Sequence, residues 1–207
     1  MEYAESLTIA TPFFNEEESL KHFFDILKKI NLLLDKKIKT KYLFIDDGSS
    51  DSTKEKLLEF KANNPSMDIV VHSHNINYGY GRTLKNSIKL CDTKYLLTYD
   101  ADCTYGYEHI ETLVDKIILE KHSIINVSYK LSNKKIDMSF LRRMLSWGGS
   151  IIYKFIFPVV KNYNIEVFTC SYRIYEIEKI KEIEINSEDF NSTAELMLKS
   201  MTCKAEW

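Results

Sequence analysis

The feature that most constrains this chain is a repeated alternation. Short apolar runs are followed by amphipathic stretches, and each run ends in a polar cluster. Residues 6–10, 42–45, 68–72, 95–99 and 123–129 read as strands, and 15–34, 52–63, 79–91 and 107–121 read as helices. In the first helix Leu20, Phe23, Phe24, Leu27, Ile30 and Leu34 recur at helical spacing and form one apolar face. Asn15 is its expected N-cap, with Glu16, Glu17 and Glu18 near the positive end of the helix dipole. Strand–helix alternation with little linker predicts an α/β fold, a mainly parallel sheet with helices on both faces, and one domain over residues 1–207. Ligands of such sheets bind beyond the carboxyl ends of the strands. The polar clusters at 12–16, 46–51 and 100–104 fall at those ends.

After residue 129 the pattern changes. Residues 130–137 are polar, 140–157 read as a helix, 168–175 as a strand, 193–200 as a helix, and 204–207 as the start of another strand. Arg142 and Arg143 lie near the start of the 140–157 helix, where a cation gains nothing from the helix dipole, so a binding role fits them.

Composition excludes several classes. Apolar residues make up 44% and charged residues 28%, which is globular rather than disordered composition. The net charge of -2 offers no field for a nucleic acid partner. The four cysteines form no C-x-x-C pair and read as free thiols in a reducing, cytoplasmic compartment. The polar, acidic N-terminus is not a secretory signal. No apolar run reaches the length of a membrane span. The nearest, 151–160, is broken by Lys154 and Pro158 and reads either as a buried helix or as one lying on a membrane surface.

Three clusters carry candidate chemistry. Asp100 and Asp102 are two apart at a strand end, so both carboxylates point to one side. Their mutual repulsion favours a hard cation between them, Mg²⁺ or Mn²⁺, which also binds diphosphate oxygens. A solvated turn is the alternative. Asp46 and Asp47 suit a nucleoside, since carboxylates accept hydrogen bonds from base N–H groups or ribose hydroxyls; equally, Ser50, Asp51 or Ser52 caps the following helix. The Asn77–Arg82 stretch leads into a helix N-terminus, a natural anion site. His72 and His74 share a strand face but lack a third ligand for zinc.

Together these segments resemble the family-two glycosyltransferases of GT-A fold, a Rossmann-like architecture. Thr11-Pro12-Phe13-Phe14-Asn15-Glu16 resembles the opening P-x-y/f-N-E segment, and Asp46-Asp47-Gly48-Ser49-Ser50-Asp51-Ser52-Thr53 the D-D-G-S-x-D-x-T segment. Asn75-Ile76-Asn77-Tyr78-Gly79-Tyr80-Gly81 resembles the N-x-G-x-g segment at a helix start, and Tyr99-Asp100-Ala101-Asp102 the D-x-D region. The later segments, Asp102-Cys103-Thr104-Tyr105 and Thr169-Cys170-Ser171-Tyr172-Arg173-Ile174-Tyr175, are similar to polyprenyl- and dolichyl-phosphate sugar transferases.

The resemblance implies an inverting transfer of a sugar from GDP-mannose or a UDP-sugar to a polyprenyl phosphate, with Mg²⁺ or Mn²⁺, at the cytoplasmic face of a membrane in cell-envelope glycan synthesis. It implies a nucleotide half over about 1–105 and an acceptor half over about 106–207. Pro12, Phe14, Glu16, Ile45 and Asp47 would line the nucleoside pocket. Asp100, Ala101, Asp102 and Thr104 would surround the metal and diphosphate, Lys130 would face the donor, and Arg142, Ser146 and Arg173 would hold the acceptor phosphate. Arginine suits that role because its planar fork grips phosphate in two bonds, and the chain carries only four, Arg82, Arg142, Arg143 and Arg173, beside 24 lysines.

A glycan hydroxyl acceptor would instead need a carboxylate base, from Glu166, Glu188, Asp189 or Glu195. A nucleotide-sugar-binding module without transfer is the third reading. The sequence departs from the family at Val167, where an Asp is usual, at Ser171, where a glycine is common, at Gly106-Tyr107, where a Pro-Pro pair stands in relatives, and at Thr104, where some use glutamine. The family's final strand and basic tail are not in the sequence, which reads as a shortened or naturally short domain.

Overall fold

The computed structural model describes residues 5–120, 122–126, 155–157, 160, 168 and 170–202. The elements run β1 (Ser6–Phe13), α1 (Leu20–Leu34), β2 (Lys39–Asp46), α2 (Thr53–Asn63), β3 (Asp68–Ser73), α3 (Tyr80–Leu90), β4 (Tyr95–Thr98), α4 (Glu108–Glu120), β5 (Ile124–Asn126), β6 (Arg173–Glu176), α5 (Ile177–Ile180) and α6 (Ser192–Thr202). The six strands form one sheet in the order β3-β2-β1-β4-β6-β5. The four strands β1 to β4 are mutually parallel, while β6 runs antiparallel to both its neighbours.

Period-two alternation sends successive residues to opposite faces. One face buries Leu7, Ile9, Phe13, Tyr42, Phe44 and Leu97 against α1, α2 and α4. The other buries Ala10, Leu43, Ile45, Leu96 and Tyr175 against α3, α5 and α6. Both faces are covered, so β1, the second half of β2 and β4 are buried on consecutive residues rather than on alternate ones.

The α/β expectation and the positions of four strands and four helices hold, within a few residues. Other expectations change. Asn15 does not cap α1, which starts at Leu20; its backbone is left-handed, with φ of 54°. Its side-chain oxygen instead accepts the Ser50 N–H at 2.8 Å. At α2 the Asp51 carboxylate accepts the Thr53 N–H at 2.9 Å, while Ser52 makes no side-chain cap. The strand expected over 168–175 pairs only from Arg173. The helix expected over 140–157 lies, apart from its last three residues, outside the described residues, as does the strand expected from 204.

The start of α3 is not open to an anion. The Gly81 N–H donates to the Glu188 carbonyl at 2.8 Å. A Cβ on Gly81 would stand 2.3 Å from the Ser187 carbonyl oxygen, and one on Gly79 2.6 Å from that of Glu188. Glycine is required because backbone meets backbone there. Gly81→Ala gains about 1 kcal/mol of helix propensity but crowds a backbone that cannot rotate away, at about 1–3 kcal/mol. The expected net is a loss of stability, read as a lower urea midpoint.

Candidate active site

The loops after β1, β2, β3 and β4 meet at the carboxyl ends of the strands. The first two are stitched together residue by residue. The Asn15 N–H donates to Ser49 Oγ at 3.0 Å, the Glu16 N–H to Thr53 Oγ1 at 2.8 Å, and the Glu17 N–H to Asp51 Oδ2 at 3.2 Å. The Ser52 N–H returns to Glu17 Oε2 at 3.1 Å. Much of both motifs therefore shapes the cradle. Phe14 is 44% exposed at its rim, and Pro12 and Glu16 are half-buried beside it.

Asp47 has another task than the expected one. It is buried, and its Oδ1 accepts from His74 Nδ1 at 2.6 Å and the Tyr78 N–H at 3.0 Å. Its Oδ2 accepts the Gly79 N–H at 2.8 Å. With Nδ1–H donating to the carboxylate, His74 Nε2 accepts from the Asn86 amide at 2.6 Å. Asp47 thus fixes the loop between β3 and α3 through His74 and two backbone N–H groups. Ile45 is fully buried in the core beneath α3, and Ala101 is buried on the opposite face. Their side chains do not line an open pocket.

Asp100 and Asp102 follow β4. Asp100 is half-buried, and its Oδ2 accepts a hydrogen bond from the Ser171 hydroxyl. Burial pushes its carboxyl up to about 6; Ser171 opposes this, and the nearby Asp102 charge adds to it. Asp102 is exposed and accepts from the Thr104 N–H at 2.9 Å and the Thr104 hydroxyl at 2.8 Å. Among the described residues no group of three or more His, Cys, Asp or Glu side chains could hold a metal ion. Two carboxylates that form no ion pair among the described residues nevertheless fit Mg²⁺ or Mn²⁺, which take one or two carboxylates and complete their shell with phosphate oxygens and water.

The raised Asp100 carboxyl has a pH consequence. Its folded value lies above its ordinary 3.8, so the native state holds that proton more tightly. The stability this group contributes is full below about 4 and is lost as pH rises through about 6. A cation competes with the same proton. Were Mn²⁺ held by Asp100, its affinity would fall about tenfold per pH unit below 6 and level off above it, which metal titrations at pH 5 and 7 would show.

Arg173 departs from the acceptor-phosphate expectation. It is 0% exposed. Nε donates to Asn126 Oδ1 at 2.8 Å, one terminal nitrogen to the Thr193 carbonyl at 2.8 Å, and the other to the Phe168 carbonyl at 2.6 Å. The guanidinium ties β5, β6, the start of α6 and residue 168 together. Lys130, Arg142, Arg143 and Ser146 lie outside the described residues.

The carboxylates considered as bases are also engaged. Burial pushes Glu195 up, but Lys199 and the N–H groups of Asn186 and Ser187 outweigh it and hold the carboxyl at about 2. Lys85 holds Glu188 below its usual range, at 2.8 Å. Asp189 accepts from the Asn191 N–H at 2.9 Å and from its side-chain amide at 2.8 Å. Glu166 lies outside the described residues. The roles of Glu195 and Ser171 could not be read from spacing, because each depends on a partner that only the tertiary fold brings near.

Comparison with known proteins gives this arrangement a context. The chain is 27% identical over 186 residues to a dolichyl-phosphate beta-glucosyltransferase of Dictyostelium discoideum, covering 86% of this chain and 56% of that protein. It is 32% identical over 108 residues to an undecaprenyl-phosphate 4-deoxy-4-formamido-L-arabinose transferase of Yersinia pestis, covering 52% of this chain and 32% of that protein. The chain thus spans little more than half of the first relative's length. Glucosyl-3-phosphoglycerate synthase from Mycobacterium tuberculosis, solved with Mn²⁺, UDP and glucosyl-3-phosphoglycerate, superposes with a TM-score of 0.69 at 12% identity, covering 94% of this chain and 64% of that one. That likeness shows the GT-A fold. Residues 8–184 match the sequence profile of glycosyl transferase family 2, and with the sheet order and the strand-end D-x-D pair in place, the chain belongs to that family.

Proposed function

We propose that the chain carries the catalytic domain of an inverting glycosyltransferase that moves a sugar from GDP-mannose or a UDP-sugar to a polyprenyl phosphate, with Mg²⁺ or Mn²⁺. The observation that carries this reading is the Asp100–Asp102 pair, set where the strands of the sheet end, with Asp100 half-buried and Asp102 exposed. The metal, when bound, neutralises charge on the departing diphosphate. Asp100 and Asp102 hold it, and Thr104 keeps Asp102 turned outward. Phe14 and Glu16 face the nucleoside from the rim of the cradle, with Pro12 beside them. Asp47 acts indirectly, through the loop that ends at Gly79. Ile45 and Ala101 act as support from the core.

A phosphate acceptor is already an anion, so its attack needs positioning and charge neutralisation rather than a strong base. The engagement of Glu188, Asp189 and Glu195 by protein donors supports this acceptor over a glycan hydroxyl. Arg142 and Ser146 are proposed to grip the acceptor phosphate, and Lys130 to face the donor. Arg173 is proposed to support that grip from within rather than to touch the acceptor.

The relatives named for dolichyl- and undecaprenyl-phosphate support the same acceptor class. Phe155, Ile156 and Phe157 are 84%, 59% and 37% exposed, an apolar stretch suited to peripheral contact with a membrane at its cytoplasmic face. Among the described residues no helix is long and apolar enough to cross a membrane. The test is transfer from radiolabelled GDP-mannose and a panel of UDP-sugars to purified polyprenyl phosphate with Mn²⁺. Label in the lipid extract is the expected result. Label only in a glycan acceptor, or none with any donor, would overturn the reading.

A further inference from the structure

We propose that Ser171 is a positioning residue that fixes one oxygen of Asp100 from across the sheet and so presets the other for a divalent cation. This rests on the assignment of Asp100 to the metal and diphosphate.

The register makes the contact. Strand β6 pairs with β4 so that Arg173 lies opposite Thr98. Extending that antiparallel pairing by two residues sets Ser171 opposite Asp100, on the same face of the sheet. The Ser171 hydroxyl donates to Asp100 Oδ2. The segment is held there by a second bond, since the Thr98 hydroxyl donates to the Ser171 carbonyl. Ser171 is only 2% exposed, between the buried Cys170 and Tyr172, so its hydroxyl has little freedom to turn elsewhere. The chain therefore supplies a hydroxyl that a glycine or alanine at this position would not, leaving Asp100 Oδ2 without this donor.

The two carboxylates are then unequal. Asp100 is oriented by a residue 71 positions away in sequence. Among the described residues Asp102 accepts hydrogen bonds only from Thr104, two residues on and exposed, through its N–H and its hydroxyl. One is a fixed ligand and the other an adjustable one. Such an arrangement suits an ion that must receive a diphosphate and later release it, because a single anchor sets the ion's place while the second ligand follows the substrate. Hydrogen-bond partners of metal ligands commonly matter by about 10–100-fold in affinity.

The experiment measures Mn²⁺ affinity by electron paramagnetic resonance in the presence of UDP and, separately, GDP. The proteins are wild type, Ser171→Ala, Ser171→Thr and Asp100→Asn. Expected are about tenfold weaker binding in Ser171→Ala, near-wild-type binding in Ser171→Thr, which keeps the hydroxyl, and a larger loss in Asp100→Asn. If Ser171→Ala binds as wild type while Asp100→Asn is weakened, the positioning role is wrong. Equal weakening in the Ala and Thr variants also overturns it, since packing rather than the hydroxyl would then matter. If Asp100→Asn itself binds as wild type, the metal assignment fails instead.

Discussion

Asp102→Ala is expected to leave a folded protein that has lost transfer by about 10³-fold or more, roughly 4 kcal/mol of transition-state stabilisation. The size follows from the charge at stake. A diphosphate leaving group develops negative charge that water screens poorly in a protein cleft, and a divalent cation is the largest local counter-charge available. With Asp102 gone, Asp100 alone would have to retain the ion. Stability should hardly change, because Asp102 is exposed and its two bonds are to Thr104 in the same turn. Initial rates at saturating Mn²⁺ and a urea midpoint on the same preparation separate the two effects. Unchanged turnover would remove Asp102 from the reaction.

The second large effect is expected at Arg173, and it is an effect on folding. Arg173→Met keeps most of the side-chain volume and removes three hydrogen bonds from a site that is 0% exposed. Hydrogen bonds to charged groups each contribute about 1.5–3 kcal/mol, and a buried acceptor left without its donor costs a further share of that. Removing a buried charge also removes its desolvation cost, which offsets part of this loss, so stability is expected to drop by about 3–5 kcal/mol, a large fraction of what a single domain has. Lysine should not rescue it, because one ammonium cannot span Asn126, Phe168 and Thr193. Urea unfolding of the two variants checks this. Were the guanidinium instead a ligand of the acceptor phosphate, the urea midpoint would stay put and KM for the lipid phosphate would rise.

The contrast between these two residues shows what the sequence could disclose. The place of Asp102 was legible because its signal is local: an apolar run, a strand end and a carboxylate two residues from another are all adjacent in the chain. Strands β1 to β4 and helices α1 to α4 were legible for the same reason, since period and punctuation are local signals. Arg173 misled because the motif around it marks a place in the fold, not the direction of its side chain. That direction is set by Asn126 on one side and Thr193 on the other. Asp47 misled similarly, since the loop whose N–H groups it accepts begins 27 positions away, at His74. Asn15 failed as a cap because the loop after β1 closes on Ser49 and Ser50 of a neighbouring strand's loop before any helix begins. Gly79 and Gly81 looked like the floor of an anion site; only the folded chain shows the Glu188 backbone lying on them.

The place of β6 in the sheet has a consequence for how the protein is made. During synthesis β5 emerges about 50 residues before β6, as the numbering of Asn126 and Arg173 shows. Until then the free edge of β4 has no partner, and β5 cannot join the sheet at all, because β6 must lie between them. An open, apolar strand edge is a template for wrong pairing. A nascent chain that stalls after α4 would therefore carry a nearly finished parallel part of the sheet with an unprotected seam. Its completion waits on a long-range insertion of the kind that slows folding.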